Sequence, residues 1–178
     1  MLEGQVRGNL SKSQRKALRQ QGYLLANLYG NQVPNVYASF KTNDFVRFVK
    51  NKPSLDFKVK VGEIAYHVVV QSYQKDPVSN ALMHVDLLVL KAGVVSKFHV
   101  PVKTHGTPIG LKNKGILMLS KSRVHVECKP EDLISNFELD VSALDVGDVI
   151  LVRDLKVSES VKILENPNNA VVGVIKAK

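Results

Sequence analysis

Apolar and polar residues alternate with a period of two along much of this chain, the pattern of half-buried strands. The clearest case is the stretch from residue 71 to 90, QSYQKDPVSNALMHVDLLVL. Residues 68–74 and 82–90 read as two strands. Between them, Asp76-Pro77 and Ser79-Asn80 supply turn chemistry, because Pro fixes φ and Asp, Ser and Asn bond their own backbone. On the second strand His84 and Asp86 share a face with Leu82 and Leu88. The opposite face, Met83, Val85, Leu87 and Val89, is wholly apolar and is expected in the core. Two polar side chains one pleat repeat apart in so apolar a strand need a reason.

The same period predicts strands at 2–7, 36–40, 56–61 and 64–74, with Gly62-Glu63 as a hairpin turn, and a strand ending at Tyr29 before Gly30-Asn31. Two segments instead carry a helical pattern. In NLSKSQRKALRQQGY, Ser11 or Ser13 can cap a helix that Gly22 ends. Its apolar stripe is only Ala17 and Leu18, yet it bears Lys12, Arg15, Lys16 and Arg19, with Arg7 just before. So thin a stripe gains little from packing, so the helix is either a solvated surface element or one ordered by a partner. The second helix is predicted to be capped by Thr42-Asn43-Asp44, to bury Phe45, Phe48 and Val49, and to be stopped by Pro53.

Lys91-Ala92-Gly93 then interrupts the pattern, and strands follow at 97–102, 124–128, 137–141, 149–151 and 170–175. The expected architecture is mainly β: a small barrel or strongly curved sheet with two short helices over residues 1–92, then a β-rich C-terminal domain over 93–178. A Gly- and Lys-bearing loop, residues 106–115, lacks the G-x-x-x-x-G-K-[ST] pattern of a phosphate-binding loop and reads as a turn.

Charge adds an asymmetry. The formal net charge is +9. Residues 1–92 hold 13 Lys/Arg against 6 Asp/Glu, net +7, and residues 93–178 hold 12 against 10, net +2. The basic excess of the first half fits a polyanionic partner there, or a solubilising surface. The single cysteine, Cys128, leaves no intrachain disulfide framework. The N-terminus MLEGQVRGNL has no apolar segment of signal-peptide type, and no run approaches 18 apolar residues, so a soluble cytoplasmic protein is expected.

Catalysis has little to stand on. His84 and Asp86 suit an acid–base pair with Cys128 or Ser96 as nucleophile, but no nucleophile lies in a diagnostic context such as G-x-S-x-G. The five histidines, His67, His84, His99, His105 and His125, are scattered without H-E-x-x-H spacing. Neither an enzyme, a metal, a cofactor nor a small-molecule substrate is expected.

A family resemblance covers nearly the whole chain in order. It is carried by Val6-Arg7, Ser11-Lys12-Ser13, Ala17-Leu18-Arg19 leading to Gly22, Leu28-Tyr29-Gly30, Gln71-x-x-Gln74-Lys75-Asp76-Pro77 and Leu82-x-His84-Val85-Asp86. It continues through Val100-Pro101-Val102, Gly106-Thr107-Pro108-Ile109-Gly110, Gly115-Ile116-Leu117 and Asp140-Val141-Ser142-x-Leu144-x-Val146-Gly147-Asp148. In these motifs the chain resembles the 5S rRNA-binding protein family of the bacterial large ribosomal subunit, whose longer members are also called CTC general stress proteins. The resemblance implies an N-terminal β-barrel that binds 5S rRNA, a separate β-rich C-terminal domain, and neighbouring large-subunit proteins or RNA elements as further partners. It also implies roles. Arg7, Lys12, Lys16 and Arg19 would contact phosphates, which position the protein. His84, Asp86, Gln71 and Gln74 would read base edges or 2′-hydroxyls in the shallow minor groove of A-form RNA. Tyr29 would stack on or hydrogen bond to RNA, or join the core. Gln71 and Gln74 have opposite strand parity, so a bulge or the turn must intervene if both face RNA. A free stress-response module with secondary RNA binding and a hydrolase using His84 and Asp86 are the alternatives.

Overall fold

The structure is a computed structural model, and it describes residues 2–31, 33–52, 54–158 and 160–176. The chain divides into two compact units, Met1–Val94 and Val95–Lys178.

The first unit runs β1 (Leu2–Val6), α1 (Lys12–Gln20), β2 (Tyr23–Gly30), β3 (Val33–Lys41), α2 (Thr42–Asn51), β4 (Asp56–Val61), β5 (Ile64–Lys75) and β6 (Leu82–Val89). Its six strands close into a barrel in the order β1-β3-β2-β6-β5-β4. Two parallel pairings make closure possible, β1 with β4 and β2 with β6; the others are antiparallel. Inside, alternate residues of every strand meet in one cluster that includes Leu24, Leu28, Phe40, Val59, Val68, Val85 and Leu87. β1 can lie this close only because residue 4 is glycine, since a Cβ there would come within 2.4 Å of the Phe40 ring. α2 sets Phe45 against Phe40 and Phe57, with ring centroids 5.8 and 6.5 Å apart. The expected Thr42-Asn43-Asp44 cap does not form. Lys41 occupies the cap position without a side-chain bond, and the Thr42 hydroxyl donates to the Gly22 carbonyl at 2.8 Å, tying α2 to the end of α1. The Pro53 stop lies outside the described residues.

The expected core face of β6 needs a correction. Gln74 pairs with His84 but Lys75 pairs with Leu82, so Met83 is an extra residue on β6. Leu82 therefore packs against the core, whereas Met83 does not belong to the cluster. A second irregularity pairs Val70 with Leu87 and Ser72 with Asp86, leaving Gln71 as the extra residue on β5. Each bulge flips the parity of the strand residues beyond it.

The second unit contains β7 (Ser96–His105), β8 (Gly115–Leu119), β9 (Arg123–Cys128), β10 (Phe137–Asp140), β11 (Val149–Leu151), β12 (Lys162–Ile163) and β13 (Ala170–Lys176). They form a four-stranded sheet, β10-β7-β9-β12, and a three-stranded sheet, β11-β13-β8. Phe98, Val100, Val124, Val126, Val141, Val171, Val172 and Val174 are buried there. The 106–115 loop is a turn, with positive φ at Gly106 and a single 3₁₀ turn at Ile109–Leu111, and it leads into β8.

Candidate RNA-binding face

The register of the barrel lays out its outer face row by row. Leu25 of β2, His84 of β6 and Gln74 of β5 are lateral neighbours; Ser39 of β3 pairs with Leu25 on the far side. In the next row Tyr37, Asn27, Asp86 and Ser72 follow one another across β3, β2, β6 and β5. In the third, Tyr29 lies beside Leu88. The bulge at Gln71 brings Gln74 onto the face of His84 and Asp86, and leaves Gln71 itself without a cross-strand partner on β6. Tyr29 belongs to the outer face and not to the core cluster. Burial, and then the charge of Asp86, push its phenol pKa up, so it presents an intact O–H donor.

His84 and Asp86 are both mostly buried, with side-chain exposures of 20% and 25%. Their nearest atoms, Nδ1 and Oδ1, stand 3.5 Å apart. The Ser72 hydroxyl donates to the other Asp86 oxygen, Oδ2. Burial draws the His84 pKa below its ordinary value; Asp86 opposes this, while Arg7 and Arg19 add to it. The imidazole is thus neutral at neutral pH and offers one donor and one acceptor. Two buried side-chain atoms have no hydrogen-bond partner among the described residues, His84 Nδ1 and Gln71 Oε1. Both belong to this pair of strands. A buried polar atom without a partner costs on the order of 1–3 kcal/mol.

The same geometry does not build a hydrolase. In a nucleophilic triad the serine hydroxyl bonds the imidazole and the carboxylate orients the far side of the ring. Here the Ser72 hydroxyl goes to the carboxylate. Cys128 is a buried thiol whose pKa is pushed up by burial and then by Asp132, opposite to what a thiolate nucleophile needs.

α1 supplies the charge. Ser11 accepts from the Gln14 backbone N–H at 3.3 Å, and the Gln14 side chain accepts from the Ser11 N–H at 2.9 Å, a complete capping box. Among the described residues the helix buries no side chain, and it has no acid in its first turn. At about 100° per residue its four cations fall within an arc of about 100°. Arg15 and Arg19 lie on the barrel side of that arc, where they line a groove of about 280 Å³ with Arg7, Asn27, Tyr37, Gln74, Met83 and His84. Lys12 and Lys16 are exposed and do not line it.

Arg7 is differently employed. Its Nε donates to the Ala38 carbonyl at 3.0 Å and its Nη2 to Asn27 Oδ1 at 3.1 Å, and its guanidinium lies 5.0 Å from the centre of the Tyr37 ring. Burial lowers its pKa. Arg7 pins β1, β2 and β3 together at the floor of the groove. The sequence pattern picked out His84, Asp86, Gln74 and Arg19 in this groove or beside it. It gave no role to Arg15, Asn27, Tyr37 or Ser72. Arg15 was visible as the i−4 neighbour of Arg19; the other three depend on strand register, which periodicity does not supply.

The family model of the ribosomal L25p family matches residues 2–87, and that of the ribosomal protein TL5 C-terminal domain matches residues 96–178. The large ribosomal subunit protein bL25 of Helicobacter acinonychis is 57% identical over 178 residues, all of both chains. The proteins of the same name from Helicobacter pylori and Wolinella succinogenes are also 57% identical over the full length of both. The chain therefore belongs to the ribosomal L25p family, in the form that carries a TL5-type C-terminal domain.

Proposed function

We infer that this protein is a structural constituent of the large ribosomal subunit that binds 5S rRNA through the outer face of its N-terminal barrel, in the cytoplasm, without catalysing a reaction. The observation that carries the reading is His84, whose buried Nδ1 has no hydrogen-bond partner among the described residues, in the groove lined by Arg15 and Arg19 of the cationic helix α1; a second such atom, Gln71 Oε1, lies on the neighbouring strand β5. In this reading His84, Asp86, Gln71 and Gln74 meet base edges and 2′-hydroxyls, the groups a wide minor groove displays. Tyr29 adds a phenolic donor at the edge of the same face. Lys12, Lys16, Arg19 and, beyond the sequence expectation, Arg15 contact phosphates. Arg7 shapes the floor of the groove and adds positive potential. Asp86, a carboxylate facing a polyanion, meets a hydrogen-bond donor and not a phosphate.

Gel-shift titration of the full chain against 5S rRNA at moderate salt, with an unrelated structured RNA of similar length as competitor, tests this. A complex that survives excess competitor is expected. Equal binding to both RNAs would reduce the face to a general cationic surface and contradict the assignment.

A further inference from the structure

The C-terminal unit has a surface of a different kind. In the sheet β11-β13-β8, Val172 and Val174 point inward and are buried. On the opposite face the register sets Met118 of β8 beside Gly173 of β13 and Val149 of β11, with Ile116 beside Ile175 in the adjoining row. These four side chains are about half exposed: Ile116 53%, Met118 49%, Ile175 48% and Val149 47%. Val149 leans over Gly173, its Cγ2 only 3.2 Å from where a Cβ would sit, so the apolar surface is continuous across the glycine. Among the described residues the three strands hold one charged side chain, Lys176, at the end of β13. β8 is also an edge strand, Gly-Ile-Leu-Met-Leu, with none of the internal lysines or prolines that usually protect such an edge.

We propose that this sheet face is a docking surface for an apolar segment of a neighbouring protein of the large subunit. It rests on the subunit placement proposed above. RNA is disfavoured as the occupant because the face offers no row of cations to replace the phosphate counterions. A second copy of the chain is disfavoured by area. Four half-exposed side chains amount to a few hundred Å² at most, well short of about 800 Å² per partner in a stable interface. A patch of that size holds only when other contacts anchor the protein, and 5S rRNA binding by the other unit provides the anchor.

The test uses the full chain carrying a photoreactive benzophenone, Met118→p-benzoylphenylalanine, incorporated into purified large subunits depleted of this protein. Irradiation is expected to yield a product that ribonuclease leaves intact and protease destroys, joined to another protein of the subunit. In parallel, Met118→Glu with Ile175→Glu is expected to reduce retention on subunits about tenfold or more, with affinity for free 5S rRNA unchanged. A cross-link to rRNA, a cross-link to a second copy, or none from an incorporated chain would overturn the inference alone, as would unaltered retention of the double variant. Subunits that refuse even the unaltered chain would overturn the proposed function together with it.

Discussion

His84 and Asp86 are held in place by backbone and burial more than by each other. Their 3.5 Å separation is long for a hydrogen bond, and Asp86 is instead bonded by Ser72. His84→Ala and Asp86→Ala should therefore each weaken 5S rRNA binding by about 1–3 kcal/mol, roughly tenfold to a hundredfold, by analogy with base readout. The salt dependence should stay unaltered because no phosphate counterion is involved. His84→Ala should keep a native melting temperature, since His84 Nδ1 leaves no internal partner behind. A large loss of stability with retained affinity would make the pair structural. The depressed His84 pKa has a second consequence. Below its ordinary 6.5 the unfolded chain binds a proton that the folded chain resists. Stability therefore falls as pH drops from that value through the folded one. Melting temperatures followed from about pH 7.5 to about pH 5 should decline less steeply for His84→Gln than for the unaltered chain. The pair was legible in the sequence because strand period two put it on one face. The Ser72 bond was not, because it depends on the bulge at Gln71, and nothing in the local sequence marks that bulge.

At the scale of elements, α1 depends on its cap and on its partner. Without a buried side chain it gains little from the barrel, so loss of the capping box should loosen it locally. Ser11→Ala should cost the helix about 1 kcal/mol. The loss should be read as weaker RNA binding with the global melting temperature nearly unchanged; a lowered melting temperature with native affinity would contradict this. The helix also sets the salt dependence. If Lys12, Arg15, Lys16 and Arg19 each displace one counterion, affinity should fall roughly 50- to 150-fold between about 50 and about 200 mM salt. Arg15→Gln should lower the log–log slope by about one. Arg7→Gln should lower thermal stability more than the slope, because that guanidinium holds Ala38 and Asn27. A salt-insensitive complex would exclude the mechanism. The helix was readable from its serine cap and its terminal glycine. Short strands were less so: β12 has two residues, too few to show a period, and β8 is an apolar run preceded by a glycine-bearing turn.

For the whole molecule, the expectation of two domains rests on the interruption after residue 90 and on the charge difference between residues 1–92 and 93–178. Barrel closure was harder to read, because the parallel pairings of β1 with β4 and β2 with β6 join strands distant in sequence, and no turn signal connects them. The site is built across that non-local pairing: Asn27 meets Asp86, and Leu25 meets His84, only when β2 and β6 lie side by side. All of the proposed RNA-reading groups, and the four helix cations, belong to the first compact unit. The most direct measurement is the dissociation constant for 5S rRNA of the isolated Met1–Val94 fragment beside that of the full chain, with circular dichroism on the same samples. A folded fragment that binds within about threefold of the full chain, a difference below about 1 kcal/mol, is the predicted result. An unfolded fragment, or RNA affinity that resides in residues 95–178, would contradict it.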